Sequence, residues 1–484
     1  MKLNKYFLRT APPALGIAIL LVTLLPTYAQ RGSQANTPAA PWKNRSLSPD
    51  ERAALVVKEM TLDEKISLLH GTGMVGLSPM SPLAVKSNGG AGYVVGIPRL
   101  GIPEIQMSDA AYGVRNSGEN GRYSTALPND LAAAASWDLD AAYEYGALIG
   151  RELRAQGYNM SLGGGVNLAR EPRNGRTFEY LGEDPVLAGK MVSQVMRGEQ
   201  AQHVIGDIKH YALNDQESGR NAVNVNIDRR SMRESDLLAF EIGLRESNIA
   251  AVMCSYNRVN GDFACENKYL LTDVLKKDWK FKGFVLSDWQ GAHSTAKASA
   301  AGLDHEEPGE IFYGEAMKKA VESGTVSVAE LDDHVRRILR SMFATGVIDD
   351  PPQKSVVDVI GGFEVAQKIA EQSIVLLKNA PQNGGAQLPL DASKLRTIAV
   401  IGAHSDVGML SGGGSAQVDP PGGNAIAPPG EGRTTWQAHI WFPTSPLKVI
   451  RARVPGAKVQ YDPGTDLSTA AALAKTVDVA IVFV

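Results

Sequence analysis

Gly283-Phe284-Val285-Leu286-Ser287-Asp288-Trp289 is a short apolar run that ends on a carboxylate with an indole beside it. A run this short, apolar throughout and closed by polar residues, suits a strand buried on both faces of a parallel sheet. Working outward, the same plan recurs at residues 102–109, 160–167, 204–210 and 250–256, and more weakly at 301–306. The intervening segments, 137–156 and 231–246 among them, have helical length and spacing. Strands alternating with helices predict an α/β fold with a parallel sheet, and five or six such units in one domain favour a barrel over an open sheet. Asp109, Lys209-His210, Tyr256 and Asp288 stand at the C-terminal ends of these strands. Both architectures gather strand C-termini on the face that holds the site.

On the N-terminal side, Thr61-Leu62-Asp63-Glu64 reads as a capping box opening a helix with Leu62, Ile66 and Leu69 on one face. On the C-terminal side, Ser327 and Glu330 form a second capping box. Leu331, Val335, Ile338, Leu339 and Met342 share a face, and Gly346 suits a left-handed cap. Asp349-Asp350-Pro351-Pro352 then breaks the chain. Beyond it, 373–378, 397–402, 458–461 and 478–484 read as strands with helices between, and 412–414 and 420–432 as Gly- and Pro-rich loops. The expected organisation is a signal peptide 1–29, a linker 30–46, a barrel-like domain 47–348, a linker 349–362 and a second α/β domain 363–484. That last domain ends inside an apolar strand and is expected to be incomplete.

The 484 residues are 44% hydrophobic and 21% charged, which excludes a disordered chain and a coiled coil. With 49 Lys and Arg against 52 Asp and Glu, nothing recommends nucleic acid as a partner. Lys2, Lys5 and Arg9 precede an apolar run at 14–25 and Thr27-Tyr28-Ala29, the pattern of an export signal cleaved after Ala29. No later segment is apolar enough to span a membrane, so the mature protein is expected outside the cytoplasm, periplasmic or secreted. Cys254 and Cys265 are the two cysteines. They are too few for a zinc framework, and they suit either a local disulfide or two buried thiols. No ligand cluster suggests a metal, and no cofactor is expected.

A carboxylate beside an aromatic face suits sugar chemistry, although Asp288 could equally cap a helix. The ordered set is more specific. It comprises Glu171-Pro172-Arg173-Asn174-Gly175-Arg176-Thr177-Phe178-Glu179, Gly182-Glu183-Asp184-Pro185, Lys209-His210-Tyr211, Asn214-Asp215-Gln216-Glu217-Ser218-Gly219-Arg220, Met253-Cys254-Ser255-Tyr256-Asn257 and Ser287-Asp288-Trp289. In this order the chain resembles glycoside hydrolase family 3, β-glucosidase type, from Met60 to its end. The resemblance implies a TIM-type (β/α)8 barrel followed by an α/β sandwich, with the site between them. It implies an exo-acting, retaining β-glycosidase acting on β-linked oligosaccharides or glucosides. A β-glucosidase comes first; a β-xylosidase or other exo-β-glycosidase comes second.

By the same resemblance Asp288 is the nucleophile, with Arg220 and Tyr256 close to it. Asp109 grips sugar hydroxyls, Arg176, Lys209 and His210 bind the remaining ones, Trp289 lies against the sugar, and Ser415 reaches it from the Gly-rich loop. Adjacent strand residues point to opposite faces, so Lys209 and His210 can share one sugar only if the backbone is irregular there, as at a non-proline cis bond. His293 and His305 invite a catalytic role, and His293 reads as structural. The longer histidine-containing loop of relatives acting on N-acetylglucosamine is not matched at 209–213. In the family the general acid is a Glu shortly after a strand like 478–484, so it is expected beyond Val484; Glu431 fits no acid motif. A non-catalytic sugar-binding homologue is the reading from another class. A nucleotide site at 398–402 and 410–415 lacks the phosphate-loop Lys.

Overall fold

The computed structural model describes residues 40–115, 123–381, 385, 387–418, 420–423 and 439–484. The signal-peptide reading, the start of the expected linker and Glu431 lie outside the described residues.

The first half is a closed barrel. Strands Ile105–Ser108, Met160–Ser161, Asp207–Tyr211, Ala251–Cys254 and Phe284–Ser287 run parallel, joined in part by the Met160–Ile205 and Gly165–Lys209 bridges. The ring continues through parallel bridges Leu286–His305 and His70–Glu306. It is completed by strand Gly92–Val94, which pairs antiparallel with Ile105–Ser108 and takes the Thr72 amide on the Tyr93 carbonyl at 3.1 Å. Every residue of Ile105–Ser108, Ala251–Cys254 and Phe284–Ser287 is buried, as the apolar runs require. Helices Leu139–Gln156, Pro185–Gln200, Asp236–Glu246 and Val328–Ala344 cover the outside.

The caps follow the sequence in part. Thr61 and Glu64 form the expected reciprocal box, but the helix stops at Ser67, and Leu68 and Leu69 enter the barrel wall. Ser327 accepts from the Glu330 amide, whereas the Glu330 carboxylate turns to the Ser299 hydroxyl, so the second box is only half formed. Two expected linkers are partly packed structure. Trp42 is buried, with its indole N–H on the Leu100 carbonyl at 3.1 Å. Helix Val359–Gln372 begins inside the second linker, and its Ile369 joins the barrel core.

The second half is a three-stranded parallel sheet in the order Lys458–Asp462, Thr397–Ile401, Val479–Val482. Alternate residues of the central strand face opposite ways: Ile398 and Val400 pack with Leu447 and Val454, Ala399 and Ile401 with Ala470. This is an α/β sandwich in miniature. The expected strand at 373–378 does not form; Ile374, Val375, Leu376 and Leu377 are exposed on a segment without a ladder.

Candidate active site

The barrel's C-terminal rim brings the expected residues together. Asp288 follows the last residue of strand Phe284–Ser287 and is buried. Its amide donates to the Cys254 carbonyl at 3.1 Å, and its Oδ1 accepts from the Trp289 amide at 2.8 Å. Those bonds aim Oδ2 inward, where it has no hydrogen-bond donor among the described residues; His210 Nε2 stands 3.7 Å away. Burial holds the His210 imidazole well below its usual value, and the charges of Arg176, Lys209 and Arg220 add to the effect. Burial thus favours the neutral imidazole beside the carboxylate. The Tyr256 phenol is raised well above its usual value, by burial first and by the Asp288 charge second.

Lys209 and His210 both reach the site. The Lys209–His210 and Tyr211–Ala212 peptide bonds are cis. Lys209 Nζ lies 3.3 Å from Glu179 and 3.9 Å from Asp109, while His210 turns to Asp288. Asp109 is also 3.7 Å from Arg115; burial pushes its carboxyl up while Lys209 and Arg115 oppose that. Arg176 forks onto Glu179 with two 2.8 Å bonds. Against the cost of burial, Arg176 and then Lys209 hold Glu179 down at about 2.

Arg220 stands on the expected nucleophile's neighbour rather than on the nucleophile itself. It forms no ion pair with Asp288 among the described residues; it lies 4.4 Å above the Tyr256 ring and pairs with Glu217 at 2.7 Å. Glu217 also faces Arg176 at 3.6 Å. The rim thus carries a row of alternating charge: Arg115, Asp109, Lys209, Glu179, Arg176, Glu217, Arg220. The sequence reading missed Glu179 and Glu217 as site residues. Both stand three residues from an arginine of opposite charge, and that spacing is the signal that would have found them.

The second half supplies the lid. Gly413 and Gly414 take left-handed φ values of 83° and 75°, and a Cβ at Gly412 would meet the Phe178 ring at 3.4 Å. This close passage sets the Tyr112 hydroxyl 2.8 Å from Ser411 and the Ser415 hydroxyl 3.3 Å from Arg176. Trp289 donates its indole N–H to the Ala91 carbonyl at 3.1 Å, which fixes the ring at the rim. His293 stacks on Phe263 at 3.7 Å, away from the row. His305 is locked between the Leu68 carbonyl and Glu307. Cys254 and Cys265 form a disulfide, which settles the choice the sequence left open.

A barrel of parallel strands closed by one reversed strand, presenting a carboxylate, cations and an indole at one rim, defines a class of carbohydrate-active catalytic domain. The chain belongs to glycosyl hydrolase family 3: the model of that family's N-terminal domain matches residues 90–341, and that of its C-terminal domain matches 374–484. It is 34% identical over 412 residues to a probable β-glucosidase K of Aspergillus fumigatus, covering 84% of this chain and 48% of the relative. It is 35% identical over 376 residues to the thermostable β-glucosidase B of Acetivibrio thermocellus, covering 75% and 46% respectively. Among solved structures it resembles DesR, a β-glucosidase from Streptomyces venezuelae in complex with D-glucose, at 35% identity and a TM-score of 0.72, over 86% of this chain and 50% of that one. It also resembles a β-D-glucoside glucohydrolase from Trichoderma reesei at 29% identity and a TM-score of 0.75, over 92% and 60%. The chain spans about half the length of the curated relatives it matches.

Proposed function

We propose that this chain carries the sugar-binding and nucleophilic half of an exo-acting, retaining β-glucosidase. The observation that carries the reading is the Asp288 carboxylate, buried at the rim beside Tyr256 and His210, with Oδ2 unbonded among the described residues. Oδ2 attacks the anomeric carbon and forms a glycosyl ester. The glycosidic C–O bond breaks, and its electron pair leaves on the aglycone oxygen. Water then attacks the same carbon, releasing the sugar and returning the carboxylate, with the water's proton ending on the departed aglycone or on solvent. Asp109, Lys209, Arg176 and His210 hold the hydroxyls, Trp289 lies against the ring, and Ser415 closes over it.

Neither added carboxylate suits the proton donor. Glu179 is held at about 2 by Arg176 and Lys209, and Glu217 is shared by two guanidiniums. Leaving groups that depart as anions need no proton donor and so isolate the nucleophilic step. Dinitrophenyl 2-deoxy-2-fluoro-β-glucoside should leave a covalent sugar on Asp288, seen by intact mass and peptide mapping. An Asp288→Asn variant should stay unlabelled and lose about 1,000-fold or more in dinitrophenolate release from the unfluorinated glucoside. A folded wild type that is never labelled sinks the reading. We also propose export, supported by the N-terminal pattern and by a disulfide suited to an oxidising compartment. Recovery of the protein only in the cytoplasm would overturn it.

A further inference from the structure

Glu217 is the link between the sugar-gripping end of the charge row and the end beside the nucleophile. Its Oε2 takes Arg220 at 2.7 Å, and its Oε1, buried and without a hydrogen bond among the described residues, faces Arg176 at 3.6 Å. Arg220 is thereby occupied: its Nη1 is on Glu217 and its planar face is on Tyr256. Tyr256 in turn lies against Asp288. A guanidinium on an aromatic face still lends its positive field to the neighbouring anion. A guanidinium forked onto that anion would tie up the lone pair that has to attack.

We propose that Glu217 is a positioning residue for the nucleophile: by holding Arg176 and Arg220 together, it keeps Arg220 on the Tyr256 ring and off the Asp288 carboxylate. This rests on the glucosidase reading above. With Glu217 neutralised, Arg176 keeps its fork on Glu179 while Arg220 loses its carboxylate, and Arg220 turns to Asp288 as its replacement partner. The nucleophile is then engaged. It loses reactivity and is harder to protonate, while the hydroxyl contacts at Asp109 and Lys209 persist.

The test is the rate of covalent labelling with the dinitrophenyl 2-fluoro glucoside, in this 484-residue chain, across pH. For Glu217→Gln the maximal labelling rate should fall about 10- to 100-fold, with the half-saturating concentration within about threefold of wild type. The acid limb of the rate profile should move down by about one pH unit or more. Glu217→Asp, which keeps the charge on a shorter arm, should fall between the two in both rate and limb. It carries the test alone should the Gln variant not fold. Labelling of both variants at the wild-type rate overturns the inference and leaves the glucosidase reading standing. Slower labelling with an unmoved limb also overturns it, since a merely structural loss lowers the rate without changing how Asp288 titrates. A wild type that is folded but unlabelled removes both.

Discussion

At the scale of single residues the molecule keeps two kinds of buried carboxyl. Asp109, Glu179 and Glu217 on the rim are paired with cations, and Glu179 is held at about 2. Glu199 and Asp215 are buried without adequate counter-charge and are pushed up to about 8, by burial in both and in Asp215 also by the adjacent Asp236. Unfolded carboxyls titrate near 4. Between about pH 4 and pH 8 the folded chain therefore holds protons on Glu199 and Asp215 that the unfolded chain has released. Their contribution to stability falls as pH rises through that window and levels off above it. Glu179 runs the other way: its contribution is present above about pH 4 and is lost as pH falls towards 2. Thermal melts should show Glu199→Gln and Asp215→Asn gaining on wild type by several degrees between pH 4.5 and pH 8 and no further above it. A pH-independent difference would mean these groups are not protonated in the native state. Asp288 and Asp109 were legible because each ends an apolar run. Glu179 and Glu217 were passed over because they lie off the strands, on a one-turn helix and a loop, where only their spacing from an arginine marks them.

At the scale of elements, the runs that became strands are those with a partner on each side. The parallel strands were readable because a doubly covered strand needs an unbroken apolar run. Strand Gly92–Val94 was not readable: three residues in a Gly-rich neighbourhood carry no period. The Leu62, Ile66 and Leu69 pattern looked helical beyond Ser67 because a barrel segment is apolar at the same positions. One covalent brace sits among these elements. The disulfide joins Cys254, the last residue of strand Ala251–Cys254 and the acceptor of the Asp288 amide, to Cys265, 11 residues on. Closing a loop of this size stabilises by about 3 kcal/mol in the chain-entropy picture. Cys265→Ser should lower the unfolding free energy by about that much in denaturant titrations. Added reductant should then have no further effect on the variant.

At the scale of the whole molecule, the two halves share a core as well as a site. Ala416 and Val418 from the Gly-rich loop, and Ile369 from helix Val359–Gln372, pack into the barrel's apolar cluster. The second half is less finished elsewhere. Ile374 is 78% and Leu377 91% exposed, with Val375 and Leu376 between them also exposed, where the sequence had predicted a strand. The segment pairs with none of the described strands, although the outer strands Lys458–Asp462 and Val479–Val482 each keep one open edge. Such a run promotes association. Sedimentation of this chain should show concentration-dependent self-association that the Leu376→Lys, Leu377→Lys double variant reduces; an unchanged profile would mean the segment is already covered. The reversed strand Gly92–Val94 has a different consequence. Because it runs against its neighbours, the chain leaves the rim at Thr72 and comes back to it at Gly92. This excursion is pinned by main-chain bonds from Ser81 to Thr72 and from Gly73 to Pro308, by the Trp289 indole on the Ala91 carbonyl, and near its end by the Asn88 side chain on the Gly157 carbonyl at 2.7 Å. Main-chain groups are supplied by almost any residue, so residues 74–87, ahead of the Asn88 anchor, form an exchangeable cassette on the lip of the cavity. A protein engineer could swap that cassette whole, altering what waits outside the sugar pocket without re-registering a strand of the barrel.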